Sequence, residues 1–269
     1  MYKKLIVLLG VVLLAIFSLL GYAFLRTPES ASSELEAIPL ELTPAGTSQV
    51  ATQPTATITT EETQTSANEL AESPAATENT EPTETAAPAG GDLVVVQINQ
   101  DSSQVRFELD EDLRGQRITV VGTTNEVAGE IAFNLDDLSQ TQVGIIQISA
   151  RTLKTDNDFR NRAIQNQILD TGPYELITFT PTAINGLPPS AAVGDTITFA
   201  IDGNLTIRDI TLPATFTVQV TIVSETEISG IASAIVTRSD YELTIPSVPN
   251  VANVDQEVEL YIDFVANAS

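Results

Sequence analysis

TITFAIDGNLTIRDITLPATFTVQVTI, residues 196–222, decides the fold. In its first half Ile197, Phe199, Ile201, Gly203, Leu205 and Ile207 share one parity. Thr196, Thr198, Ala200, Asp202, Asn204 and Thr206 take the other. A period of two sustained over that length is a strand with one dry face and one wet face. Arg208-Asp209 interrupts the run. Alternation then resumes, with Ala214, Phe216, Val218, Val220 and Ile222 against Thr215, Thr217, Gln219 and Thr221. Two long amphipathic runs joined this closely predict an antiparallel hairpin. At about 3.3 Å per residue the first run reaches roughly 40 Å, longer than an ordinary strand and suited to the wall of a barrel. Gly203 in mid-strand supplies the bend that a closing wall needs.

Working outward, Val94 to Ile98 is a short apolar strand, and Gln104 to Asp110 alternates with Val105, Phe107 and Leu109 inward. Ile118 and Val120 mark the next strand, and Val127, Gly129, Ile131, Phe133 and Leu135 another. Val143 to Ala150 follows. The period then changes. Over Asp158 to Asp170 the apolar residues Phe159, Ala163, Ile164 and Ile168 lose strict alternation, which predicts a short helix with Asp156 or Asn157 as N-cap and Gly172-Pro173 as its stop. Strands resume at Ile177 and Phe179, at Gly230 to Thr237 and at Glu257 to Ala266. Roughly eight to ten strands and one helical insert over residues 92–269 predict a single all-β antiparallel domain, a sandwich or a barrel.

Composition excludes several classes of function. Lys and Arg total 12 against 36 Asp and Glu, a formal net charge of −24, which leaves nothing to neutralise a nucleic-acid backbone. With no cysteine and no histidine, triads built on histidine and nearly all zinc or iron sites are absent. Asp156-Asn157-Asp158 imitates the start of a calcium loop, but Arg160 falls where a third oxygen ligand belongs, so no metal is expected. A hydrolase would need a carboxylate pair such as Asp136-Asp137 in a cleft, and no spacing argues for one. The expectation is a protein that is not an enzyme.

The N-terminal part reads as delivery. After Lys3 and Lys4, the run Leu5 to Leu25 is uncharged and Arg26 closes it. At 1.5 Å rise such a run spans about 31 Å, the thickness of a hydrocarbon core. Tyr22-Ala23-Phe24-Leu25-Arg26 is too bulky for a signal-peptidase site, so residues 1–26 are expected to be a retained transmembrane anchor, with the lysines cytoplasmic and the rest extracytoplasmic. Residues 27–91 contain no Lys, Arg or aromatic residue and are rich in Thr, Ala, Glu, Pro and Ser. Such a composition cannot bury enough apolar surface to offset chain entropy and predicts a disordered linker.

Four ordered blocks carry a resemblance. They are Thr152-Leu153-Lys154-Thr155 with Arg160-Asn161-Arg162-Ala163-Ile164; Ile168-Leu169-Asp170 with Tyr174 and Ile177-Thr178-Phe179; Gly203 to Ala214; and Arg238-Ser239-Asp240-Tyr241 with Asp255 to Leu260. Together, over about residues 92–266, they resemble the YceI-like family. The chain departs from that pattern at Asn161 for an aspartate, Ala163 for a histidine, Ile168-Leu169 for two phenylalanines, Glu175 for a proline and Asp209 for a glycine. The resemblance implies a lipocalin-like β-barrel whose interior holds a polyisoprenoid chain, such as an isoprenoid quinone or polyprenyl lipid. That ligand would be the partner, alongside the membrane. No other cofactor is implied, and a homodimer is left open.

The implied ligand-binding positions are Phe107, Phe133, Ile148, Leu153, Ile164, Ile168, Phe179, Phe199, Leu205 and Phe216, with Arg160 and Arg238 for a polar head at the barrel mouth. The plainer expectation for each arginine is an ion pair with one of the many carboxylates. Small inward residues, namely Gly129, Gly203, Ala214, Gly230, Ala232 and Ala234, are expected to leave room inside. Each buried CH₂ contributes about 0.8 kcal/mol, so a few isoprene units would hold without any charged group. The leading expectation is a membrane-anchored carrier or sequestering protein for an isoprenoid lipid. The alternative is a stalked module with a solid core that binds protein or glycan through its outer face.

Overall fold

The structure is a computed structural model that describes residues 27–42 and 93–268. The anchor expected over residues 1–26, and the linker over residues 43–91, lie outside the described residues. Among the described residues no helix is long and apolar enough to cross a membrane. Thirteen strands are described: β1 Val94–Ile98, β2 Gln104–Leu113, β3 Gln116–Thr124, β4 Val127–Ala128, β5 Glu130–Phe133, β6 Gln142–Val143, β7 Ile146–Ser149, β8 Leu176–Asn185, β9 Thr196–Ile207, β10 Ile210–Ser224, β11 Glu227–Thr237, β12 Val251–Ala252 and β13 Glu257–Asn267.

The predicted hairpin is β9–β10. It runs in unbroken register from Ile207↔Ile210 to Thr196↔Thr221, with Arg208 turning the chain at φ 59°. Every pairing in the sheet is antiparallel, and its order is β4-β7-β8-β9-β10-β11-β13-β1-β5-β6. Only Gly129 separates β4 from β5. The path therefore comes back to its own start, and the sheet curls on itself into a barrel. β13 serves two partners: Asn267 and Ala266 pair with β1, while Asp263 to Glu259 pair with β2. Inward residues follow the alternation read from sequence, so Ile201, Leu205 and Ile207 of β9 and Phe216, Val218, Val220 and Ile222 of β10 are buried.

Two expected strands are broken. Val143 to Ala150 divides into β6 and β7 because Gly144 turns its N–H to the carbonyl of Glu130 at 2.8 Å. Residues 127–135 divide at Gly129 into β4 and β5, and both faces of this stretch are covered, leaving Glu130 as well as Phe133 buried. The outer cover comes from a strap. Residues 27–42, expected to begin the disordered linker, lie against the barrel, and Leu40 donates its backbone N–H to Glu130 Oε2 at 2.7 Å. Further along the strap, Leu35 accepts from the Gln100 side chain, and Ser32 donates both its N–H and its hydroxyl to Glu175 at 2.7 Å. Glu29 pairs with Arg151 at 3.1 Å.

The helical insert begins as expected. Asn157 caps α1 (Asp158–Ala163), accepting from the N–H groups of Phe159 and Arg160. It continues as a π-helical turn, Ile164–Ile168, and ends where Asp170 takes a left-handed φ of 45°, ahead of Gly172-Pro173.

Candidate functional site

Two apolar chambers lie in line along the barrel axis. The first has a cavity volume of about 90 Å³ and is lined by inward residues of most strands, among them Ile98, Phe133, Phe179, Phe199, Ile201, Phe216, Val220, Ala232 and Phe264. Thr141 is its one polar lining residue, and the buried hydroxyl makes no hydrogen bond among the described residues. The second chamber, about 150 Å³, lies under α1 and the π turn. Its walls include Phe107, Val120, Leu153, Ile164, Ile168, Ile177, Ile207, Leu243 and Leu260.

β9 shows how the two chambers relate. Ile197, Phe199 and Ile201 face the first chamber, Ile207 faces the second, and Leu205 lines neither. Ile148 and Val105 also line neither, and all three are buried. All three belong to the one hydrophobic core cluster, and we read them as the layer between the two chambers.

The room expected beside small inward residues is largely taken by the protein's own rings. A methyl at Gly203 would come within 2.5 Å of Phe179 Cζ, and one at Gly122 within 2.2 Å of Phe107 Cε1. At Gly230 it would meet the Gln219 carbonyl oxygen at 2.3 Å and Phe264 Cζ at 3.0 Å. A glycine in a strand marks a close approach, and here the approaching groups are rings together with backbone carbonyls at Gly203 and Gly230. Phe179 also packs edge-to-face on Phe216, with ring centroids 4.8 Å apart. Ala232 is the expected small residue that does face open space, in the first chamber.

Of the expected positions, Phe133, Phe179, Phe199 and Phe216 line the first chamber. Phe107, Leu153, Arg160, Ile164, Ile168 and Arg238 line the second. Ile148 and Leu205 line neither; alternation points them inward and core packing buries them.

Both arginines are engaged by the protein. Arg160 reaches Glu111 at 3.0 Å and Asp156 at 2.7 Å. Glu111, only 6% exposed, is the carboxylate of a wall that is apolar apart from it, Arg160 and Arg238, and was missed in the sequence. Its place on the inward parity of β2, two residues beyond Leu109, was the available signal. Arg238 donates to the carbonyls of Asp255 at 2.8 Å and Leu243 at 3.2 Å, so it fastens the loop that rims this chamber. No cluster of metal-ligating side chains occurs among the described residues.

The chamber linings carry no nucleophile or base array. Their polar groups are Thr141 in the first and Arg160, Glu111 and Arg238 in the second, a surface that can hold an apolar chain and meet one polar group at the helix end.

Comparison with known proteins bears on this geometry. A polyisoprenoid binding domain from Saccharophagus degradans, described as implicated in plant cell wall breakdown, superposes with a TM-score of 0.52 at 14% identity. The match covers 66% of this chain and 100% of that one. Burkholderia cenocepacia BcnA gives a TM-score of 0.51 at 17% identity, covering 63% of this chain and 99% of that one. At such identities these structures share the fold. Comparison with curated proteins returns no match. The model of the YceI-like domain matches residues 96–266, from within β1 to within β13, and so the chain belongs to the YceI-like family.

Proposed function

We propose that this protein binds an isoprenoid lipid inside the barrel and serves, without catalysis, as its carrier or sequestering protein at the outer face of a membrane. The observation that carries this reading is the pair of apolar chambers on one axis, with the only charged lining residues at one end. The Saccharophagus degradans relative, described as a polyisoprenoid binding domain, supports the same ligand class. The run of residues 5–25 supplies the membrane attachment.

The chambers set the terms of binding. A cavity of about 150 Å³ accommodates a benzene-sized group, so the second chamber holds roughly one isoprene unit and the first, at about 90 Å³, holds less. Even two full units would give only about 8 kcal/mol of transfer energy at 0.8 kcal/mol per CH₂, close to the cost of association. A longer chain gains more only by passing the layer of Leu205, Ile148 and Val105. Loading therefore displaces that layer and threads the two chambers together. Arg160 and Glu111 then meet the polar head, while the tail runs toward Phe133 and Ile222.

Mass spectrometry of an organic extract from the purified protein tests the reading, together with reloading by a polyprenol. Recovered prenyl lipid in the natural chain, and its loss in Ala232→Phe, is the expected result. Ala232 faces the first chamber, and a ring there fills it. Absence of prenyl lipid after both purification and reloading would overturn the proposal.

A further inference from the structure

We infer that the helix end of the barrel, where α1 covers the second chamber, faces the membrane, and that the strap of residues 27–42 latches it in that orientation. The inference rests on the reading of residues 5–25 as membrane-spanning and of the chambers as a lipid site.

Reach is the first argument. Glu29 is held by Arg151 at 3.1 Å, and Ser32 is held by Glu175. Arg151 in turn donates to the carbonyls of Thr171 and Gly172, just past the π turn. The apolar run ends at Leu25, four residues before Glu29. Even fully extended, four residues cover about 14 Å. The far end of the barrel is out of range: β9 from Ile207 to Ile197 is ten residues, about 33 Å along the strand and about 25 Å along the axis after tilt. A chain leaving the bilayer at Leu25 therefore brings the helix end to the lipid surface. A free linker from residue 27 would have imposed no such choice.

Surface chemistry agrees. Phe159, at the first turn of α1, is 68% exposed, with the Arg162 guanidinium 5.9 Å from its ring centroid. An exposed ring flanked by a cation suits the interface between headgroups and acyl chains. Among Lys and Arg beyond residue 92, Arg106 sits at mid-wall. The others lie in the β2–β3 turn and at the start of β3, in the Arg151–Arg162 stretch around α1, in the β9–β10 turn and at Arg238, all at the helix end. Several are paired with carboxylates, but Arg114, Lys154 and Arg162 form no ion pair among the described residues. They share this end with exposed carboxylates, Asp156, Asp158, Asp209 and Glu242 among them, so the cations distinguish the two ends without making this one net positive. At the opposite end, around Asp136, Asp137, Asp195, Glu225 and Glu227, there is no cation among the described residues.

The natural chain has no cysteine, so single-cysteine labelling is clean. Full-length Phe159→Cys and Val193→Cys chains, each carrying a bimane, are placed in vesicles of brominated phosphatidylcholine with an anionic lipid fraction. Val193 is an exposed residue of the β8–β9 loop at the far end. Strong quenching at position 159 and none at 193 is expected. Glu29→Ala with Ser32→Pro, which frees the end of the strap next to the apolar run while Leu35 and Leu40 stay bound to Gln100 and Glu130, should lower the signal at 159 toward that at 193. Equal quenching at both positions, quenching at 193 alone or at neither, or a 159 signal indifferent to strap release would overturn the inference. Extraction of prenyl lipid from the same vesicle-bound chains is read separately, so a wrongly assigned ligand and a wrongly assigned orientation give different results.

Discussion

Truncation of Leu205 to alanine probes the dividing layer most directly. Leu205 is 2% exposed, pairs in register with Phe179 and Leu212, and lines neither chamber. Removing three buried carbons forfeits about 2.4 kcal/mol of transfer energy at 0.8 kcal/mol each. The void adds a further cost that falls only if neighbours collapse into it. Here it opens onto an existing chamber on each side, so collapse is poor, and the total lies near 4 kcal/mol, within the range seen for leucine-to-alanine changes. Urea unfolding of the lipid-free chain from residue 27 onward measures that loss. Repeated with saturating polyprenol, the same measurement should show a smaller loss, because the threaded chain fills the space that Leu205 leaves. A lipid-free loss below about 1 kcal/mol would refute the packing argument. An equal loss with and without polyprenol would show that the ligand does not cross this layer.

Gly203→Ala forces a methyl to within 2.5 Å of Phe179 and 2.6 Å of the Thr180 carbonyl oxygen, so it should cost about 1–3 kcal/mol in the same unfolding assay. Arg160→Met strands the carboxylate of Glu111 in the second chamber and should cost about 3 kcal/mol. Adding Glu111→Leu should recover most of that loss. The strap should respond to acid. Burial pushes the Glu175 carboxyl up, but two hydrogen bonds from Ser32 and the charge of Arg151 outweigh it and hold the group below its ordinary value. A depressed carboxylate stabilises the docked strap above its ordinary value, and that contribution disappears as pH falls through the lowered one. Protease cleavage within residues 27–42 should therefore accelerate only at pH below 4.5, and Glu175→Gln should remove that pH dependence.

Much of the barrel was legible because its governing signal is local. Inward and outward residues of β9 and β10 alternate in sequence, and that pattern assigns Phe199 and Phe216 to the lumen without knowledge of any partner. What lies across the lumen is a matter of register between strands far apart in the chain. Alternation turns Leu205 and Ile148 inward, yet whether they meet each other or a ligand depends on the whole closed ring. The glycines mislead for the same reason. Gly203 is an absence of side chain, and only the pairing of β8 with β9 shows that Phe179 fills it. The strap was illegible because its own residues resemble the low-complexity stretch that follows. Its order comes from Gln100, Glu130, Arg151 and Glu175, which local composition cannot reveal.

The rings seated on bare backbone have a consequence for how this architecture diversifies. Phe107, Phe179 and Phe264 each rest on a glycine of the adjoining strand, so at their depths the calibre of the tube is set in part by these rings. Exchanging a phenylalanine for leucine or valine would widen the passage at one depth while every main-chain bond of the cylinder stayed in place. Selectivity for longer, shorter or bulkier guests can thus be retuned one ring at a time, without rebuilding the vessel that holds them.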